Sequence, residues 1–216
     1  MNRSFSREQL DTTLYLVTDS SGLEEKEFLK KVEQALAGGV TLLQLREKEK
    51  SAREYMALAR RVKEISDQFG VPLLIDDRVD VAAAVGAAGV HVGQSDIPVA
   101  DARKILGPDR IVGATAKTVE QAVEAWEQGA DYLGVGAIYP TTTKVKTVLT
   151  SVETLREICR AVPIPVNAIG GLNAGNMGIL KGAGAAGICV VSAIMKSEDP
   201  KTTASVLKEQ ALLMNR

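Results

Sequence analysis

The sequence predicts an α/β fold, a single (β/α)8 TIM barrel occupying residues 1–216, with residues 1–13 as an N-terminal extension. Three observations predict it. Eight short apolar runs alternate with eight stretches of helical length and amphipathic pattern. The apolar runs are not interrupted by polar residues at every second position, as expected of parallel strands covered on both faces. No linker or low-complexity break divides the chain, and eight uninterrupted β-then-α units favour closure into a barrel over an open sheet.

Taken in order, Leu14–Val17 precedes helix Glu25–Ala37, and Thr41–Leu45 precedes Ala52–Phe69. Leu73–Ile75 is followed by Val81–Ala88, Val90–Val92 by Val99–Leu106, and Ile111–Val112 by Val119–Gln128. Tyr132–Val135 leads to Val152–Ala161, Val166–Ile169 to Ala174–Lys181, and Gly187–Val191 to a terminal helix, Thr202–Met214. Glycines at Gly38-Gly39, Gly70, Gly89, Gly107, Gly129 and Gly182 stand where these helices end, and glycine closes a last turn without steric cost. An open dinucleotide-binding sheet is disfavoured because Leu14–Val17 leads into Thr18-Asp19-Ser20 and not into a glycine-rich turn. Ser6 with Gln9 is a capping signal before the barrel, so residues 1–13 are expected to be either an extra helix or unstructured.

Composition narrows the function classes. Apolar residues make up 45% and charged residues 25%, and the formal net charge is -1. A chain so balanced has no overall attraction for nucleic acid or an anionic membrane, so any phosphate chemistry must come from local clusters. No apolar run is long enough to span a bilayer, and Met1 to Asp11 lacks a signal-peptide core. Cys159 and Cys189 have no metal-ligand spacing, and read as small buried side chains of a cytoplasmic protein. Barrels of this size often associate, so a homo-oligomer is compatible with the chain.

A barrel carries its chemistry at the C-terminal ends of its strands. There the sequence concentrates polar groups: Gln44-Leu45-Arg46-Glu47-Lys48, Asp76-Asp77-Arg78, Gly93-Gln94-Ser95-Asp96, Gly113-Ala114-Thr115, Gly136 to Lys144, Gly170-Gly171 and Ser192. Gln44, Arg46 and Lys48 are two apart and project to one face, where a guanidinium and an ammonium suit a diphosphate. Asp77 and Asp96 end neighbouring strands, and two carboxylates beside a diphosphate suit Mg2+. The competing readings are an Asp77–Arg78 pair and a helix cap from Asp96, while Lys50 reads as a surface partner of Glu47 or Glu49. Thr141, Thr142, Thr143 and Lys144 form a hydroxyl-rich loop with a cation at its end, suited to a phosphate or a leaving group. Gly170-Gly171 lets backbone N–H groups approach an anion, and Asn173 is placed to start the next helix. His91, the single histidine, reads as a satisfied imidazole inside its strand.

Together, Gln44–Lys48, Ile75–Arg78, Gly89–Asp96, Gly136–Lys144 and Ala168–Gly171 resemble the thiamine phosphate synthase family, in order and spacing from about Leu14 to Ile194. The resemblance implies a transferase that joins a hydroxymethylpyrimidine diphosphate to a plain or carboxylated hydroxyethylthiazole phosphate, releasing pyrophosphate. It also implies Mg2+ on Asp77 and Asp96. Gln44, Arg46, Lys48 and Lys144 would bind the pyrimidine diphosphate, and Thr115 stands at the family's serine near it. Thr141, Thr143, Gly171, Val191 and Ser192 would hold the thiazole phosphate, with Leu45, Glu47, Asp76 and Thr142 completing the surface that meets substrate. Asp76 stands where the family usually has asparagine, Ser95 for glutamate, Lys117 for histidine and Ala137 for proline. The related thiazole tautomerase lacks the aspartate at position 96 and places a histidine at position 137, so the sequence favours the synthase. A non-catalytic phosphate-binding barrel would have no use for acids and cations gathered at one corner.

Overall fold

A computed structural model of the chain describes residues 10–141 and 148–214. Eight parallel strands close a barrel in sequence order, each pairing with the next and the first with the last. They are β1 (Leu14–Val17), β2 (Leu42–Leu45), β3 (Leu73–Asp76), β4 (Gly89–Val92), β5 (Ile111–Ala116), β6 (Tyr132–Gly136), β7 (Val166–Ile169) and β8 (Gly187–Val190). The helices are α1 (Glu25–Ala37), α2 (Ala52–Phe69), α3 (Val79–Val85), α4 (Val99–Leu106), α5 (Val119–Glu127), α6 (Val152–Ala161), α7 (Ser192–Met195) and α8 (Pro200–Met214).

Local chemistry fixes the helix ends. Ser51 caps α2 through the Glu54 N–H while the Glu54 carboxylate accepts from the Ser51 N–H at 2.9 Å, a reciprocal capping box. Thr118 and Ser151 cap α5 and α6 in the same way from one side. Gly70 ends α2 in the left-handed conformation.

Two expected helices differ. The third begins at Val79 and ends on the left-handed Gly86, so Gly89 belongs to β4 and not to a helix end. The expected helix Ala174–Lys181 is only a 3-10 turn, Met177–Leu180. There the Asn173 side chain accepts from the Gly175 N–H, and the Asn176 side chain both accepts from the Asn173 N–H and donates to the Gly171 carbonyl. Side chains that compete for the backbone in this way, with Gly175 and Gly178 interspersed, stop an α-helix from propagating. The short α7 was not expected. Residues 1–9, where the capping signal lies, fall outside the described residues.

Strand side chains divide by parity. Leu14, Leu16, Leu43, Leu45, Ile75, Val90, Val112, Leu133, Val135 and Ile188 point outward into the layer beneath the helices. Tyr15, Val17, Leu42, Leu74, Ile111, Tyr132 and Cys189 fill the barrel interior. The inward row also carries Gln44, Asp76, His91 and Thr115, reached through the register pairs Gln44–Leu74, Asp76–His91 and His91–Gly113. Glycines make room for the large inner side chains: a Cβ at Gly113 would clash with Cζ at the hydroxyl end of the Tyr132 ring, and one at Gly134 would touch His91 at 3.4 Å. At the opposite end, Arg103 binds Asp131 at 2.6 Å and the carbonyls of Gly107 and Gly129. Asp131 also accepts from the Val112 N–H at 2.8 Å, tying α4 to the start of β5.

Gly113→Ala is expected to destabilise the barrel by about 1–3 kcal/mol through overpacking against Tyr132. A Tyr132→Leu exchange in the same chain should recover part of that loss, as read by urea unfolding. An unchanged midpoint for Gly113→Ala would mean that the ring does not occupy this space.

Candidate active site

All eight strands contribute side chains or backbone to one cavity of about 180 Å³ at the C-terminal mouth. Of the residues singled out from the sequence, Gln44, Arg46, Asp76, Thr115, Thr141, Gly171, Val191 and Ser192 line it. Thr142, Thr143 and Lys144 lie outside the described residues. Leu45 points away from the mouth into the outer core and is fully buried, and its carbonyl accepts from the Tyr55 hydroxyl at 2.6 Å. Glu47 turns aside to accept from Ser20 at 2.8 Å and to meet Lys50 at 3.7 Å. Its second oxygen is buried without a partner among the described residues, and burial raises its pKa despite the help from Ser20 and Lys50.

The β2 and β3 ends form a charged corner. Lys48 binds Asp76 at 2.7 Å and also Asp77, while Arg46 stands 3.8 Å from Asp76. Burial alone would lower the pKa of Lys48, but its hydrogen bonds to Asp76 and Asp77 prevail and hold it above the ordinary value. Asp77 nevertheless has a raised pKa. Its burial is the first cause, Lys48 opposes it, and the charges of Asp76 and Asp96 add to it. Lys48 and Arg46 bring two positive charges to three neighbouring carboxylates. Asp77 is also the one described non-glycine residue with positive φ, at 53°, a region aspartate tolerates better than most residues. Its N–H donates to the His91 carbonyl at 2.8 Å, which holds that turn against β4.

The competing readings of the two metal candidates do not hold. Arg78 forks onto Asp80 at 2.8 and 2.6 Å, not onto Asp77. Pro98 is the N-cap of α4, without a side-chain cap, and Asp96 instead accepts from the Gly93 N–H at 2.6 Å. No cluster of three or more His, Cys, Asp or Glu shaped for a metal occurs among the described residues.

Across the cavity, Gly170 and Gly171 both have positive φ, at 103° and 65°. A Cβ at Gly171 would also approach that of Tyr139 at 2.7 Å, so only glycine allows β7 to pass so close to the loop after β6. This brings the Gly171 backbone beside Val191 and Ser192, where α7 begins.

Lining residues not picked out as site residues include Tyr15, Tyr132's neighbour on the inner face; His91, read as structural; and Lys117, read only as a substitution. His91 is satisfied on both ring nitrogens, as expected, by Tyr132 and Thr115 at 2.9 Å each. Lys117 follows Thr115 by two residues, just as Arg46 follows Gln44, so the same alternation that found Arg46 points to it. It makes no ion pair among the described residues and adds a cation to the cavity.

A parallel (β/α)8 barrel with cations and carboxylates at one side of its mouth and a paired-glycine turn at the other gathers polar groups where barrel enzymes carry their active sites. The family model for thiamine monophosphate synthase matches residues 14–194. A thiamine-phosphate synthase of Ruminiclostridium cellulolyticum is 53% identical over 203 residues, covering 94% of this chain and 97% of that one. Thiamine-phosphate synthase 2 of Streptococcus pneumoniae is 52% identical over 202 residues, with 93% and 96% covered. Among solved structures, thiamine phosphate pyrophosphorylase from Pyrococcus furiosus superposes with a TM-score of 0.86 at 36% identity, over 96% of this chain and 98% of that chain. The chain belongs to the thiamine monophosphate synthase family, and so to the transferases; neither a tautomerase nor a non-catalytic barrel is supported. No helix among the described residues is long and apolar enough to cross a membrane.

Because the folded pKa of Asp77 lies above its ordinary value, its ionisation opposes folding, and stability falls as pH rises from the ordinary carboxylate range through that raised value. Lys48 offsets part of this loss. Lys48→Met is therefore expected to cost more stability at neutral than at acid pH. Urea unfolding at both pH values checks this, and an equal cost at both would contradict the assigned ion pairs.

Proposed function

We propose that the cavity binds a hydroxymethylpyrimidine diphosphate and a hydroxyethylthiazole phosphate together and transfers the pyrimidine methylene to the thiazole nitrogen. The observation that carries this reading is the polarity of this cavity. Arg46 and Asp76 line it at the β2 and β3 ends, where Lys48 binds Asp76, Lys117 lines it beyond β5, and Gly171, Val191 and Ser192 line it at the β7 and β8 ends. Two anions at opposite ends hold two organic rings face to face between them, which converts a bimolecular encounter into a positioned one.

The reaction balances without a nucleophilic side chain. The bond from the methylene carbon to the diphosphate oxygen breaks, and its electron pair leaves with pyrophosphate. The resulting pyrimidinylmethyl cation is captured by the lone pair of the thiazole nitrogen. What the chain must supply is stabilisation of charge that grows on the departing diphosphate. In this reading Arg46 and Lys48 bind its oxygens, Thr115 donates a hydrogen bond to it, and Lys144 joins them from the loop after β6. Gln44 and Asp76 line the pyrimidine side, with Asp76 offering an acceptor where an amide would also donate. Thr141, Thr142, Thr143, Gly171, Val191 and Ser192 receive the thiazole phosphate, while Leu45 lies behind the site in the outer core and Glu47 turns aside to Ser20.

Mg2+ fits the donor set. Asp77 and Asp96 offer hard oxygens, and mutual repulsion with Asp76 contributes to the raised pKa of Asp77, a surplus of negative charge that a cation relieves. When bound, the ion would neutralise the diphosphate and stabilise it as a leaving group. The same reading places the enzyme in the cytoplasm, in keeping with two free thiols, Cys159 and Cys189.

A coupled assay of pyrophosphate release tests the proposal. Metal-dependent release requiring both substrates, with thiamine phosphate confirmed by mass, is the expected result; a folded protein without turnover would overturn it. Asp77→Asn and Asp96→Asn, which keep size and backbone preference, are each expected to lower turnover strongly while leaving thermal unfolding nearly unchanged. Full activity in both would remove the metal assignment. Arg46→Ala is expected to raise the KM for the pyrimidine diphosphate by about tenfold or more, the effect of one lost charged hydrogen bond. A defect confined to the thiazole phosphate would reverse the two ends of the cavity.

A further inference from the structure

The barrel interior contains a continuous file of polar side chains, of which the reaction as described uses only the two ends, Gln44 and Thr115. The Gln44 amide nitrogen donates to the Tyr15 hydroxyl, which meets the Tyr132 hydroxyl at 2.8 Å. Tyr132 reaches Nδ1 of His91 at 2.9 Å, and Nε2 of His91 reaches the Thr115 hydroxyl at 2.9 Å. Tyr15 and Tyr132 are almost fully buried, and Gln44 and His91 nearly so. Barrel interiors are ordinarily packed with branched apolar side chains, so five linked polar groups are costly unless every one is satisfied.

Proton counting makes this file directional. Each hydroxyl has one proton, and the neutral imidazole has one. With the Gln44 N–H donating into Tyr15, the Tyr15 proton must go to Tyr132 and the Tyr132 proton to Nδ1 of His91. The imidazole then carries its proton on Nε2 and gives it to the Thr115 oxygen. Any break in this order sets two protons or two lone pairs against each other in a buried site. Burial also pushes both tyrosine pKa values well up, which keeps the hydroxyls protonated.

We propose that this file is a positioning relay: it fixes His91 as the Nε2–H tautomer and turns the Thr115 hydroxyl proton into the cavity, as a donor to an oxygen of the diphosphate. Tyr15, Tyr132 and His91 are positioning residues that act through Thr115. Gly113 belongs to the device, since the space of its missing side chain is where the Tyr132 ring lies. The assignment of Thr115 to the diphosphate rests on the synthase reading; the proton order does not.

His91 is the single histidine, so the protein labelled with 15N-histidine gives one pair of ring nitrogen signals. The expected spectrum shows a protonated Nε2 and a bare Nδ1 in the wild type, and a mixture of tautomers in Tyr132→Phe. A wild-type proton on Nδ1, or a tautomer unmoved by Tyr132→Phe, would overturn the relay. In the pyrophosphate assay, Thr115→Val and Tyr132→Phe are each expected to raise the KM for the pyrimidine diphosphate by roughly fivefold or more. The double variant should be no worse than the weaker single, because both remove one donor; multiplied effects would overturn the proposal. Should Tyr132→Phe not fold, Tyr15→Phe cuts the file one step earlier and carries the same expectations. The predicted tautomer in a protein without synthase turnover would refute the synthase reading and leave the proton order standing.

Discussion

Closure of eight short parallel strands is the constraint on which the rest of this structure depends. A strand only four to six residues long contributes two or three inward side chains, and those side chains must fill the interior without a gap. Large inward groups therefore need small partners on neighbouring strands. Tyr132 lies over Gly113, and His91 stands beside Gly134. The glycines do more than permit packing here. They allow polar rings to cross the barrel and meet one another, so the interior becomes a hydrogen-bonded file and not a purely apolar plug.

Closure also decides where charge accumulates. The outward row is apolar because helices cover it, and the charged side chains of the inward row lie towards the C-terminal mouth. Asp76, Asp77, Asp96, Arg46, Lys48 and Lys117 gather there in a chain whose net charge is close to zero. Lys48 holds Asp76 and Asp77 without neutralising the corner, and Asp77 keeps a raised pKa and a left-handed backbone. Strain and unbalanced charge of this kind concentrate where a protein is arranged to receive a ligand. The opposite end shows the contrast: Arg103 and Asp131 satisfy each other and the adjacent backbone, and serve to join elements.

Much of this was legible in the sequence because short apolar runs and glycine punctuation report strands and helix ends directly. The runs beginning at Leu14, Tyr132 and Val166 are strands within a residue of their expected bounds. Ile111–Val112 proved too short, since Gly113-Ala114-Thr115 continues the strand with residues too small to give a strong apolar signal. The turn after β7 escaped because Asn173 and Asn176 act on the backbone, an effect that periodicity does not register. Within the site, the strand-end rule found Gln44, Arg46, Asp76, Thr115, Gly171 and Ser192. It missed Tyr15, which sits mid-strand and reads as core, and Lys117, which lies just beyond a strand whose end was placed too early. Counting every second residue from Tyr15, Gln44, His91 and Thr115 would have recovered the inward row.

The central claim is that one cavity holds two anionic groups at opposite ends. A crystal structure with thiamine phosphate, pyrophosphate and Mg2+ bound tests it most directly. The account predicts pyrophosphate at Arg46 and Lys48, with the ion on Asp77 and Asp96, and the phosphate of thiamine phosphate on the Gly171 and Ser192 backbone. Pyrophosphate on the glycine turn, or either ligand outside the barrel mouth, would contradict it.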